Sequence, residues 1–197
     1  MATTFLLGVD EAGRGPLAGP VAVGVVKVAK GFNFRKHFFD AKDSKVLSES
    51  KREEIYERML LFREKKMLDF TVVFSSAKQI DTLGITKAVH AALYKGVYKL
   101  APNPRGVSVV LDGLLHAPVE FKQKTIIRGD ATQAVISLAS IAAKVERDRL
   151  MKRLAKKYPL YGFEKHKGYG TALHRHCIQK AGLSVLHRRS FCKNYVA

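Results

Sequence analysis

Four acidic residues of this sequence stand directly after stretches that read as β-strands. Asp10 and Glu11 follow the apolar run Phe5–Val9, Asp112 follows Val107–Leu111, and Asp130 follows Lys124–Ile127 and a short turn. In α/β sheets, ligand sites gather at strand ends. If these strands are neighbours, four carboxylates crowd one place, and such a cluster repels itself unless cations occupy it. Oxygen donors with few imidazoles suit Mg²⁺ or Mn²⁺ rather than zinc. Two such ions about 4 Å apart can hold both the attacking and the leaving oxygen of a phosphodiester displacement. Other roles stay open for some of these acids. Asp112-Gly113 alone is a common turn pair, and Gly129-Asp130 before a helix equally suits an N-cap. Asp10-Glu11 is harder to place structurally, because adjacent acids at an apolar strand end resist burial without partners.

The histidines make a weaker case. His174 and His176 lie two apart on one expected helix and so point to different faces. His116, His166 and His187 sit among basic residues, where surface or phosphate-facing roles are the default. Cys177 and Cys192 lack metal-type spacing and are expected as reduced thiols.

The elements that must position the acids can be read from the same sequence. Phe5–Val9 and Val21–Val28 are apolar and β-branched, and the eleven residues between them include three glycines and two prolines. Two strands joined by a tight loop are expected there. Gly31–Val46 reads as an irregular basic loop. Ser48 or Ser50 then opens a helix, with Ser50-Lys-Arg-Glu53 in capping-box form and Ile55, Met59 and Phe62 as its apolar stripe. Phe70–Phe74 reads as a strand, and Ile85–Leu100 as a helix between Gly84 and Pro102. Ala131–Lys157 reads as one long helix, small and apolar at first and basic later. A shorter helix is expected near Thr171–Ala181. Strands alternating with helices give an α/β fold, and the hairpin-like start makes its sheet mixed.

Composition narrows the partner. The chain has 197 residues, with 35 Lys and Arg against 17 Asp and Glu, a net charge of +18. Such an excess points to a polyanion. No basic amphipathic helix with an aromatic face supports a membrane surface instead. Residues 144–197 hold fourteen Lys and Arg against three Asp and Glu, so most of the excess lies there. No apolar run reaches membrane-spanning length, and Met1–Asp10 lacks a basic n-region and a cleavage site. A soluble, cytoplasmic protein is expected.

The segment Gly8-Val-Asp-Glu-Ala-Gly-Arg-Gly-Pro-Leu-Ala-Gly-Pro-Val21 resembles the opening signature of the ribonuclease HII family. Further motifs match in order: Asp43-Ser-Lys-Val-Leu-Ser48, Leu111-Asp-Gly113, and Gly129-Asp130 followed by Ala139-Ser-Ile-Ala-Ala-Lys-Val145 and Arg147-Asp148. Tyr161-Gly-Phe-Glu-Lys-His-Lys-Gly-Tyr-Gly-Thr171 and His187-Arg-Arg-Ser-Phe191 complete the set. The wording of Lys156–Tyr161 and Gly182–Leu186 departs from the commoner family pattern.

The resemblance implies a ribonuclease H-like fold: a mixed central sheet flanked by helices, with a small helical C-terminal part from about residue 160, all in one domain. It implies that Asp10, Glu11, Asp112 and Asp130 are catalytic and hold divalent Mg²⁺ or Mn²⁺, two ions during catalysis. Gly13, Arg14 and Gly15 correspond to the loop that recognises the ribonucleotide. The physics agrees, because glycines let backbone groups approach the 2′-hydroxyl that tells RNA from DNA. Arg14 suits a phosphate or a turn. Tyr169 corresponds to a tyrosine that stacks on the next sugar, although a buried structural ring fits the same position. Lys45, Lys144 and Arg147 are candidate phosphate contacts, setting register rather than reading sequence. Lys152–Lys157 reads better as a solvated helix face.

The implied activity is hydrolysis of RNA in RNA–DNA hybrids and incision 5′ of single ribonucleotides in duplex DNA. The implied partner is that nucleic acid. A monomer is expected, and no sliding-clamp motif is visible in Cys192–Ala197. The related ribonuclease HIII type calls for an N-terminal platform, for which Asp10 is expected to lie too near the start. A basic nucleic-acid-binding module without catalysis is the other reading. Its mark would be acids scattered in space or neutralised by Lys and Arg.

Overall fold

Alternating apolar runs and amphipathic stretches fold here into a five-stranded mixed sheet with helices on both faces. The computed structural model describes residues 4–41 and 46–195. The strands are β1 (Phe5–Ala12), β2 (Val21–Ala29), β3 (Leu68–Ser75), β4 (Val107–Asp112) and β5 (Lys122–Ile126), in the order β3-β2-β1-β4-β5. β2 runs antiparallel to β1 and β3, whereas β1, β4 and β5 are parallel. The parallel arrangement brings the ends of β1 and β4 to one edge, with Val9 beside Leu111. β5 is one of the two edge strands, and its Lys122 and Lys124 suit an exposed edge.

The helices are α1 (Phe34–His37), α2 (Glu49–Glu64), α3 (Ala77–Leu83), α4 (Ile85–Leu100), α5 (Gly129–Thr132), α6 (Ala134–Lys157), α7 (Phe163–His166) and α8 (Ala172–Ala181). α4 has the bounds expected from sequence. In α2 the cap is Ser48, whose hydroxyl accepts the Lys51 N–H at 3.2 Å, while Ser50 is already helical. Ile55 and Met59 of its stripe are fully buried. The long helix expected from Ala131 instead starts at Ala134. The preceding turn, α5, is held apart because the Gly129 N–H donates to the Asp112 carboxylate at 2.6 Å, and Gln133 is extended. α1 and α3 are additional to the sequence reading.

Side-chain alternation divides the sheet. Leu7 and Val9 of β1 pack on the α4 face with Val107, Val109 and Leu111. The other face carries α2 and α6, whose Val135–Ala143 stretch is buried throughout. There the sheet has glycines. A Cβ on Gly8 would stand 2.4 Å from the Val135 carbonyl oxygen, and one on Gly24 would stand 2.1 Å from that of Ala139. Helix backbone thus rests on strand backbone. Gly24→Ala should cost about 3 kcal/mol of stability through overpacking. Gly15→Ala, with nothing within 4 Å of its Cβ, should stay within about 0.5 kcal/mol of the wild type. Urea unfolding of the two variants measures the contrast.

Candidate active site

The ends of β1 and β4 place three carboxylates around one cavity of ≈ 460 Å³. Asp10 and Asp112 continue the α6 face of their strands. Glu11, one residue on, belongs to the α4 face, where its partner Arg14 also reaches Thr86. Asp10 is 3% exposed. It accepts the Glu11 N–H at 2.7 Å and a hydrogen bond from Ser140 of α6. Glu11 pairs with Arg14 at 3.5 Å. Burial pushes the Asp10 carboxyl up to about 8, against the Ser140 hydrogen bond and with help from the charges of Glu11 and Asp112. Burial also raises Glu11, with Arg14 opposing and Asp112 adding. Two buried acids pushed upward beside the charge of a third make a site short of positive charge. Among the described residues, no three Asp, Glu, His or Cys side chains stand close enough together to hold a metal as they are. The all-oxygen donors and their mutual repulsion nonetheless fit a hard divalent cation.

Gly13, Arg14 and Gly15 form the rim beside these acids, and Ala12, Arg52, Ser140, Lys144 and Tyr169 complete the lining. Gly13 has φ +86, and a Cβ there would overlap the Arg147 guanidinium. Tyr169 is 42% exposed. Its backbone is held by the His174 ring and the His166 main chain, with the His187 ring behind His174. His174 Nδ1 meets the Tyr169 carbonyl at 2.9 Å, and His174 Nε2 meets His187 Nε2 at 3.1 Å. A carbonyl only accepts, so His174 carries its proton on Nδ1. His187 then donates from Nε2 and accepts the Ser184 N–H on Nδ1 at 2.9 Å. His166 stacks on His174 at 4.3 Å, and its backbone carbonyl accepts the Tyr169 N–H at 2.9 Å.

A ribonuclease HII family model matches residues 7–194 of the chain. The chain belongs to the ribonuclease HII family. It is 41% identical to the ribonuclease HII of Ruminiclostridium cellulolyticum, covering 98% of this chain and 71% of that one. It is equally identical to that of Caldicellulosiruptor bescii, covering 98% and 89%. Its fold is similar to ribonuclease HII of Archaeoglobus fulgidus, solved as a complex with PCNA, with TM-score 0.77, 24% identity and coverage of 98% and 97%. It is also similar to Bst-RNase HIII solved with Mn²⁺, with TM-score 0.72, 17% identity and coverage of 98% and 70%. The protein is a metal-dependent endoribonuclease that hydrolyses the RNA strand of RNA–DNA hybrids. No described helix is long and apolar enough to cross a membrane.

Within this ribonuclease HII, the residues singled out from sequence separate into groups. Asp10, Glu11, Asp112, Gly13, Arg14, Gly15, Lys144 and Tyr169 share the cavity. Three of the four acids, Asp10, Glu11 and Asp112, are thus brought to one place. Asp130 is buried in α5 and lines a neighbouring cavity with Phe34 and Phe38. Lys144 pairs with Asp148 at 3.0 Å and stands 5.8 Å from the centre of the Tyr169 ring. Lys45 lies outside the described residues. Arg147 corrects the sequence reading, because it is fully buried and bonded to backbone carbonyls, out of reach of a phosphate. His166, His174 and His187 are buried too, not at the surface. Sequence reasoning passed over Ser140 and Arg52. Ser140 had a signal, since it lies four residues before Lys144 and so shares its helix face.

The Asp10 proton gives a testable linkage. The folded, metal-free protein keeps a proton that the unfolded chain releases near the usual 3.8. This contribution is fully present below that value and is lost as pH rises towards about 8, at up to about 1.4 kcal/mol per pH unit. Asp10→Asn removes the loss, so in EDTA its stability advantage over the wild type should widen from pH 5 to pH 7.5. A constant difference in urea midpoints would show that Asp10 is ionised in the fold.

Proposed function

We propose that this ribonuclease HII also incises duplex DNA on the 5′ side of a single embedded ribonucleotide, by two-metal-ion hydrolysis leaving a 5′-phosphate and a 3′-hydroxyl. The observation that carries the reading is one cavity shared by Asp10, Glu11, Asp112, the Gly13–Gly15 rim and Tyr169. Asp10, Glu11 and Asp112 would hold the ions. Asp130 completes the set in this proposal, since it follows Gly129, whose N–H is already bonded to Asp112. Divalent ions bound there, Mg²⁺ or Mn²⁺, supply activation of water and charge stabilisation at the leaving oxygen.

The chain's own residues supply recognition. The backbone of Gly13, Arg14 and Gly15 reads the 2′-hydroxyl, the group that marks a ribonucleotide. The half-exposed Tyr169 ring packs flat on the next sugar, where deoxyribose fits better than ribose. Lys144 and Arg14 engage phosphates and set register, with Lys45 assigned to the same task by resemblance. The basic C-terminal third holds the duplex, which lets one enzyme accept both substrates. Such incision would serve removal of ribonucleotides from replicated DNA.

Incision of a duplex carrying one ribonucleotide, with and without Mg²⁺ or Mn²⁺, tests the reading. One cut on the 5′ side is expected, and intact DNA beside a well-cut hybrid overturns it. Asp10→Asn and Asp112→Asn should each lower turnover at least ~100-fold while hybrid binding persists. Tyr169→Ala should lower cutting at the lone ribonucleotide roughly tenfold more than cutting within a hybrid, about the worth of one ring-packing contact. Equal losses on the two substrates would make Tyr169 a structural residue.

A further inference from the structure

Beneath the Gly13–Pro20 loop lies Arg188, fully buried and brought there from the far end of the chain. Its Nη2 donates to the Gly13 carbonyl at 2.7 Å, its Nη1 to that of Arg14 at 2.8 Å, and its Nε to that of Gly19 at 2.9 Å. Its own N–H donates to the Leu17 carbonyl at 2.8 Å, and the Gly19 N–H donates to that of Leu186 at 2.8 Å. The neighbouring pair Ala18 and His187 forms an antiparallel bridge. Tail and loop are thus stitched together over several residues. Arg147, equally buried, bonds the Pro20 carbonyl at 2.9 Å and the Lys167 carbonyl at 3.0 Å. Burying a guanidinium is costly unless its donors are satisfied, and for Arg188 main-chain carbonyls of the loop take Nε, Nη1 and Nη2 alike.

The consequence lies on the other side of the peptide planes. In a trans peptide the C=O and the following N–H point in opposite directions, and no peptide described here is cis. When Arg188 draws the Gly13 carbonyl inward, the Arg14 N–H turns outward. Drawing in the Arg14 carbonyl turns out the Gly15 N–H. Gly13, Arg14 and Gly15 line the cavity, whereas Arg188 and Arg147 are not among its lining residues. We propose that Arg188 is a positioning residue for ribonucleotide selection, holding the rim carbonyls away from the cavity so that the Arg14 and Gly15 N–H groups face the oxygen of a 2′-hydroxyl. The proposal rests on reading this rim as the ribonucleotide sensor. Only a planar fork meets three carbonyls at fixed angles; a lysine ammonium at this depth is a point donor.

Arg188→Lys keeps the charge and loses the fork. The readout is the ratio of kcat/KM on a lone ribonucleotide to that on an all-RNA hybrid strand, because a reduced folded fraction cancels in the ratio. A hybrid offers a 2′-hydroxyl in every register and tolerates a misaligned rim, whereas a lone ribonucleotide does not. The ratio should fall about tenfold, equivalent to one weakened hydrogen bond to the substrate. Ile178→Ala loosens the adjoining apolar cluster without touching a rim carbonyl, and should leave the ratio unchanged. Equal ratios in Arg188→Lys and the wild type would overturn the proposal. A measurement on the wild type guards against a variant that does not fold: the Arg188 guanidinium protons should exchange with solvent as slowly as buried amides. Rapid exchange would overturn the proposal as well. If the wild type fails to cut the lone ribonucleotide, the functional reading fails instead, and guanidinium exchange still judges whether Arg188 holds the rim.

Discussion

Everything at this site depends on how closely α6 lies against β1 and β2. Without side chains at Gly8 and Gly24, the helix backbone comes down onto the sheet, and residues along one of its stripes then fall at useful heights. Ser140 reaches Asp10. One turn later Lys144 enters the cavity, and Arg147 then lies under Gly13 while Met151 lies under Gly19. This spacing of four, three and four residues is one helix face. A single rigid rod therefore supports a carboxylate, a cation and two points of the loop, and a small rise of the helix would displace all four together.

The charge of the molecule is organised in two opposed ways. The surface carries a large cationic excess suited to a polyanion, yet the cavity floor holds acids whose burial keeps them from ionising freely. Two further cations, Arg147 and Arg188, are withdrawn from the surface and spent on carbonyls. Arg14 stays at the rim, half exposed and paired with Glu11. Together with Arg52 and Lys144 it puts three cations in the lining of the cavity that holds the carboxylates.

Much of this was legible in the sequence, and the failures have physical causes. The strands were readable as apolar, β-branched runs, although β1 continues past Val9 through both acids to Ala12, and α4 was readable because Gly84 and Pro102 bracket one periodic stretch. The start of α6 was not, since its shift depends on Asp112 capturing the Gly129 amide seventeen residues away. The missed α3 had a local signal in Ser76 and Gln79, which form a reciprocal capping box. Arg147 was misread because a basic residue on a basic helix normally faces water. Its partner Pro20 is 127 residues distant, so only the folded topology reveals it. Resemblance supplied Tyr169 and the Gly13–Gly15 rim, which spacing alone would not have joined to the acids.

The hydrogen-bonded run from Ser184 through His187 and His174 to Tyr169 is one-way, each donor pointing at the next acceptor. It closes only while both imidazoles are neutral, and burial pushes each of them down to about 4. Their contribution is complete above about pH 6.5, the ordinary histidine value, and is lost as pH falls towards 4. Asp10 acts in the reverse sense, weakening the metal-free fold as pH rises. The apoprotein thus carries a cost on each flank, an acid one from the two histidines and an alkaline one from Asp10. A cation that takes over the Asp10 charge removes the alkaline flank alone, so metal loading should extend the tolerated range upward and leave the acid boundary to the histidines.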